Sequence, residues 1–108
     1  MQMKTIYISL PITGYEESER RQKCEKAKEE LHRIYGDDIA VVSPFECSDM
    51  CRDRFESPTY GEFMGIDIAY IIDHCDAVYF LADPKITSSK GVRLEYAAAT
   101  VYGKEIML

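Results

Sequence analysis

Apolar and polar positions along this chain switch between two periods, and the switches mark its elements. Lys4 to Ser9 carries Ile6, Tyr7 and Ile8 without a polar break, the pattern of a strand covered on both faces. Leu10-Pro11-Ile12-Thr13-Gly14-Tyr15 then reads as a loop, marked by Pro and Gly. From Glu16 to about Tyr35 the period becomes helical: Cys24, Ala27, Leu31 and Ile34 share one face, and the rest is charged. Gly36-Asp37-Asp38 ends that helix, and Ile39 to Val42 is a second strand closed by Ser43-Pro44. Phe45 to about Tyr60 shows no clear period and is expected to be a long irregular segment, a lid or a partner contact. Gly61 to His74 is a helix whose buried face is Met64, Ile68, Ile71 and Ile72, with Asp67 and Asp73 off it. Asp76 to Leu81 is the third strand and Ala82 to Thr87 a loop. Gly91 to Tyr102 is a helix burying Leu94, Ala97, Ala98 and Val101, and Lys104 to Leu108 is the last strand. The predicted order is β-α-β-α-β-α-β, with crossovers long enough for parallel pairing. Right-handed connections turn that order into a three-layer Rossmann/flavodoxin-like α/β sandwich, a central parallel sheet of about four strands with helices on both faces.

Composition narrows the function classes. The 108 residues suit one domain, and 46% hydrophobic content with eight tyrosines and four phenylalanines is enough for one core. No apolar run approaches a membrane span, and the chain opens directly into a strand, so a cytoplasmic location is expected. The net charge of −6 argues against nucleic acid, which demands a basic surface. A small anionic ligand is compatible with it, because a helix N-terminus binds anions without net positive charge. Cys24, Cys47, Cys51 and Cys75 do not have the spacing of a zinc knuckle, and in a reducing compartment they are expected as free, mostly buried thiols. Neither a metal nor a cofactor is expected.

The candidate chemistry gathers where the third strand leads into the last helix, at Ser88-Ser89-Lys90-Gly91-Val92-Arg93-Leu94-Glu95. Small residues at such a turn let backbone N–H groups approach an anion, and the helix adds its positive end. Glu95 is not explained as half of a capping box, because the residue three before it is Val92. It lies about 100° round from Leu94, at the rim of the predicted core face, where partial desolvation can tune a carboxyl. In an open α/β sheet the loop after the first strand borders the same crevice.

Three motifs in this order resemble the nucleoside 2-deoxyribosyltransferase-like family, in particular a branch of short bacterial and phage proteins. They are Tyr7-Ile8-Ser9-Leu10-Pro11-Ile12-Thr13-Gly14-Tyr15; Asp67-Ile68 on a helix leading into Cys75-Asp76-Ala77-Val78-Tyr79-Phe80-Leu81; and Ser89-Lys90-Gly91-Val92-Arg93-Leu94-Glu95-Tyr96 followed by Gly103-Lys104-Glu105-Ile106. The resemblance spans Ile6 to Met107. It implies that Glu95 is a nucleophile, that Asp67 assists the departing base with Asp73 or Asp76 as alternatives, and that Tyr7 orients the nucleophile. It further implies that Ser9, Pro11, Ile12 and Gly14 of the first loop, with Ser88, Ser89 and Gly91, contact the sugar or its phosphate. The implied activity is N-glycosidic-bond hydrolysis or 2-deoxyribosyl transfer on a nucleoside or nucleotide. The alternatives are non-catalytic binding of a nucleotide or phosphosugar, as sensor or sponge, and an interaction module built on the Phe45–Tyr60 segment. The expected partners are small molecules and further copies of the chain, as a dimer or higher homo-oligomer, with neither nucleic acid nor membrane. Three features depart from the family pattern. Leu10 stands where a small residue is usual, the chain has no tryptophan before Ser89, and it ends too early to lend a C-terminal group to a neighbouring subunit.

Overall fold

Four short strands lie side by side, all parallel, in the order β2-β1-β3-β4. They are β1 (Lys4–Ser9), β2 (Ile39–Val42), β3 (Ala77–Phe80) and β4 (Glu105–Met107). The helices between them are α1 (Glu17–Tyr35), α2 (Pro44–Arg54), α3 (Tyr60–His74) and α4 (Lys90–Val101). The computed structural model describes residues 3–11, 14–83, 86 and 88–108, the Cys51 side chain excepted. The architecture is the three-layer α/β sandwich that the periodicity predicts.

The pleat of β1 divides the core in two. Ile6 and Ile8 point to one face and pack with Cys24, Ala27 and Leu31 of α1. Tyr7 points to the other, where Cys47 of α2, Ile71 of α3, and Val92 and Ala99 of α4 cover it. One helix therefore covers the first face and three cover the second. The chain leaves β1 toward β2 on one side and reaches β3 and β4 on the other, so a crevice opens beyond the carboxyl ends of β1 and β3. Ser9 and Phe80 are register partners at those ends.

Four expectations are corrected. The segment from Phe45 is not irregular: Pro44–Arg54 is a helix, and only residues 55–59 connect it to α3. Its start is set locally, since Glu46 bonds both the backbone N–H and the hydroxyl of Ser43, while Pro44 occupies the first helical position. The face of α4 is turned. Val92, Glu95 and Ala99 are buried, whereas Leu94 is 49% and Val101 76% exposed and Ala97 is exposed as well. On α3, Asp67 belongs to the buried face with Met64 and Ile71, and Ile68 and Ile72 lie at its edges. On α1, Ile34 is exposed, outside the Cys24–Ala27–Leu31 stripe.

Candidate active site

The second turn of α4 places Glu95 beneath the carboxyl end of β1, only 4% exposed. Both its oxygens accept hydrogen bonds from β1: Tyr7 Oη donates to Oε2 at 2.7 Å and Ser9 Oγ to Oε1 at 2.7 Å. Tyr7 and Ser9 are themselves fully buried. They sit two apart on one strand, so the pleat presents both hydroxyls to the same side. Burial, with a smaller push from the nearby Asp67, raises the Glu95 carboxyl to about 8 against the pull of Ser9 and Tyr7 toward the charged form.

Asp67 comes from the middle of α3, 6% exposed. Burial pushes its carboxyl up to about 7, a rise that the neighbouring Tyr7 hydroxyl and Cys47 thiol oppose. Tyr7 thus stands between two carboxyls, and its own ionisation is driven well above normal by burial and then by both acids. In this dry site burial favours the protonated form of both acids, and the charge of Asp67 further disfavours that of Glu95. Asp73 is exposed, six residues further along α3, about 9 Å at the helical rise. Asp76 precedes β3 at the amino edge of the sheet, where it accepts the Thr5 N–H at 2.8 Å. Asp67 is therefore the aspartate that meets Glu95.

Both carboxyls line a cavity of about 810 Å³ at the switch point of the sheet. Pro11 and Gly14 of the loop after β1 form one wall, and Ser88, Ser89 and Gly91 at the start of α4 form another. Gly14 has φ 90°, a left-handed backbone that a side chain would strain. Ile12 lies outside the described residues. Ser89 is the N-cap of α4, its hydroxyl accepting the Val92 N–H at 3.3 Å, so it shapes the turn as well as lining the cavity. Lys90 also reaches the cavity, whereas Arg93 lines a separate, mostly apolar recess of about 490 Å³.

Sequence reasoning missed the apolar wall of Pro44, Tyr60 and Met64, and Cys47 as a neighbour of Asp67. Two local signals pointed there. Ser43-Pro44-Phe45-Glu46 and Thr59-Tyr60-Gly61-Glu62 both have the spacing of a capping box. Thr59 and Glu62 complete one at α3, with bonds of 3.0 and 3.2 Å. Each box starts a helix whose first turns face the cavity. Beside it, the buried Asp83 carboxylate accepts from Tyr15 Oη at 2.8 Å and pairs with Lys23 at 3.3 Å. That cluster clamps the loop after β1 and the loop after β3 to α1. Among the described residues, no His, Cys, Asp and Glu group is arranged to hold a metal ion, and no helix is long and apolar enough to cross a membrane.

No curated protein and no solved structure matches the chain. One family model does, over residues 4–108, and it is described as a domain of unknown function, DUF4406. Strands, helices and both buried carboxyls all fall inside the matched span, and the chain belongs to the DUF4406 family.

Proposed function

We propose that this protein cleaves the N-glycosidic bond of a nucleoside or nucleotide, with Glu95 as nucleophile at C1′. The observation that carries the reading is the pair of buried carboxyls on one cavity. One is gripped on both oxygens by β1 hydroxyls, the other lines the same cavity, and burial raises both, so the pair can keep a proton for the departing base while Glu95 reacts as the carboxylate. Glu95 Oε forms a bond to C1′ as the C1′–N bond breaks, and Asp67 gives its proton to the departing base. Water, or a second base in a transfer, then attacks C1′. Asp67 takes the proton of that nucleophile, and Glu95 leaves as a carboxylate. Positive charge developing on the sugar is stabilised by the carboxylate beside it. Ser88, Lys90 and the first N–H groups of α4 suit the sugar's 5′ end or a phosphate. Likeness of the motifs at Tyr7–Tyr15, Asp67 and Ser89–Glu95 to nucleoside 2-deoxyribosyltransferase-like proteins supports the same chemistry. The exposed apolar stripe of Leu94, Ala97 and Val101 on α4 supports self-association, which light scattering would report.

The direct test incubates the protein with a panel of deoxynucleosides, ribonucleosides and their 5′-monophosphates and measures free base by chromatography. Release that disappears in Glu95→Ala is expected. No release from any member, or release unchanged in Glu95→Ala, overturns the reading. Leu10, buried and lining the cavity, favours a second reading, capture of the same ligands without turnover. A ligand-induced rise in melting temperature with no base released would select it.

A further inference from the structure

The cavity of about 810 Å³ is divided by chemistry. The start of α4 gives it a polar wall of Ser88, Ser89, Lys90 and Gly91. Apart from Gly14 and the two acids, the rest of the lining is Leu10, Pro11, Pro44, Tyr60 and Met64. Tyr60, Met64 and Asp67 follow one another at spacings of four and three, so one face of α3 carries all three. Tyr60 is the first residue of α3, and the Thr59–Glu62 capping box fixes its backbone. A Cβ placed on Gly91 would stand 3.5 Å from Tyr60 Oη and 3.6 Å from Met64 Sδ. The Tyr60 hydroxyl is thus at the polar start of α4, while its ring, on a residue 60% exposed, walls the cavity beside water.

With C1′ at Glu95 and the base departing toward Asp67, the base lies along that face of α3, against Met64 and Tyr60; this placement rests on the glycosidic reading. Nucleobases differ in the donors and acceptors of their edges. Among the described residues, the five side chains of the apolar wall bring one strong polar atom, Tyr60 Oη, and it stands at Gly91. Pro11 and Pro44 have no backbone N–H to offer. The hydroxyls that flank them in sequence are committed, that of Ser43 to Glu46 and that of Ser9 to Glu95. Asp67 would address purine N3 or pyrimidine O2, acceptors beside the glycosidic bond that the bases share. A base stacked on a half-open ring also keeps its edge in water, where every edge is satisfied alike. We infer that the site reads the ring of the base and not its edge. Adenine and guanine are taken alike, cytosine and thymine are taken alike, and Tyr60 is the stacking surface.

Calorimetric titration of the full chain tests this, with Glu95→Gln present so that binding is read without turnover. The dissociation constants of dAMP and dGMP should agree within about tenfold, and so should those of dCMP and dTMP, because an apolar wall cannot reject a small change of edge group strongly. Adding Tyr60→Ala should weaken all four by about tenfold or more, through loss of the stacking surface. Tyr60→Phe keeps the ring and should stay within about threefold of the parent. Deoxyribose 5-phosphate, which has no base, should bind Tyr60→Ala and Tyr60→Phe equally, which separates stacking from damage to the wall. A spread above tenfold within either pair, equal nucleotide affinities in Tyr60→Ala and Tyr60→Phe, or no binding of any of the four overturns the inference. If the wild type releases a base that binding favours more than tenfold, the glycosidic reading stands and the inference falls. If the pairs bind alike and the wild type releases no base, edge-blind capture stands and the glycosidic reading falls instead.

Discussion

The two faces of the sheet are built from the same strands and do opposite work. Beneath α1, Ile6, Ile8, Leu10, Leu31, Ile39 and Ala77 form an apolar layer with Cys24, a thiol that burial raises to about 11. Beneath α2, α3 and α4 lie the buried tyrosine, serine and two carboxylic acids, within a layer otherwise as apolar. The difference arises inside β1, where Ile6 and Ile8 alternate with Tyr7 and Ser9. A strand is the one element that places neighbours in sequence on opposite sides of a core. One face can therefore supply stability while the other accommodates groups that cost stability. A hydroxyl or carboxyl taken out of water is tolerated only when hydrogen-bonded, and here each carboxyl is.

The comparison breaks most sharply at Glu95. Glu95→Gln should lower base release on the order of 10⁴-fold, measured at saturating substrate. It should also stabilise the protein at pH 8. In the fold Glu95 titrates at about 8 instead of 4.5, so the folded chain keeps a proton that the unfolded chain has lost. Wild-type stability must then fall as pH rises from about 4.5 to 8, with Asp67 adding to the fall up to about 7. Denaturant titrations across that range should show the slope in wild type and a shallower one in Glu95→Gln. Ile8→Ala on the other face should do the reverse. It should cost about 2–5 kcal/mol of stability by the same titrations, while turnover per folded molecule stays near wild type.

Smaller effects sharpen the same contrast. Tyr7→Phe removes the donor to Glu95 Oε2 and should slow turnover about 10- to 100-fold. Its loss of a bond to the charged form should also move the rising limb of the pH–rate profile to higher pH. Least is expected of Tyr15→Phe, which loosens the clamp at Asp83. A stability loss of about 1 kcal/mol and a KM that rises more than kcat falls would place that clamp outside the chemistry.

Periodicity made most of this fold legible. Continuous apolar runs located β1, β2 and β3, and the Cys24–Ala27–Leu31 spacing located α1 and its buried face. The turn at Ser88–Gly91 and Glu95 behind it were legible as a candidate site because, in an open α/β sheet, loops beyond the strands' carboxyl ends border the ligand crevice. Where the reading failed, two patterns competed. Around Met50 and Arg52 polar residues break up the apolar stripe of α2, so only its capping signal marks it as a helix. On α4, Leu94-Ala97-Val101 and Val92-Glu95-Ala99 both have helical spacing, and the more hydrophobic stripe was the natural choice for the core.

From the residues alone came the parallel α/β order, the strand that alternates Ile with Tyr and Ser, and the acid on the last helix. Those follow from local rules: period, turn chemistry and chain direction. Which stripe of α4 turns inward and which aspartate on or after α3 meets Glu95 were decided only by packing. Each depends on the rotation of one helix about its axis against a neighbour distant in sequence. A rotation of that kind is set by which side chains fill the space above β1, and no spacing along a single element records it.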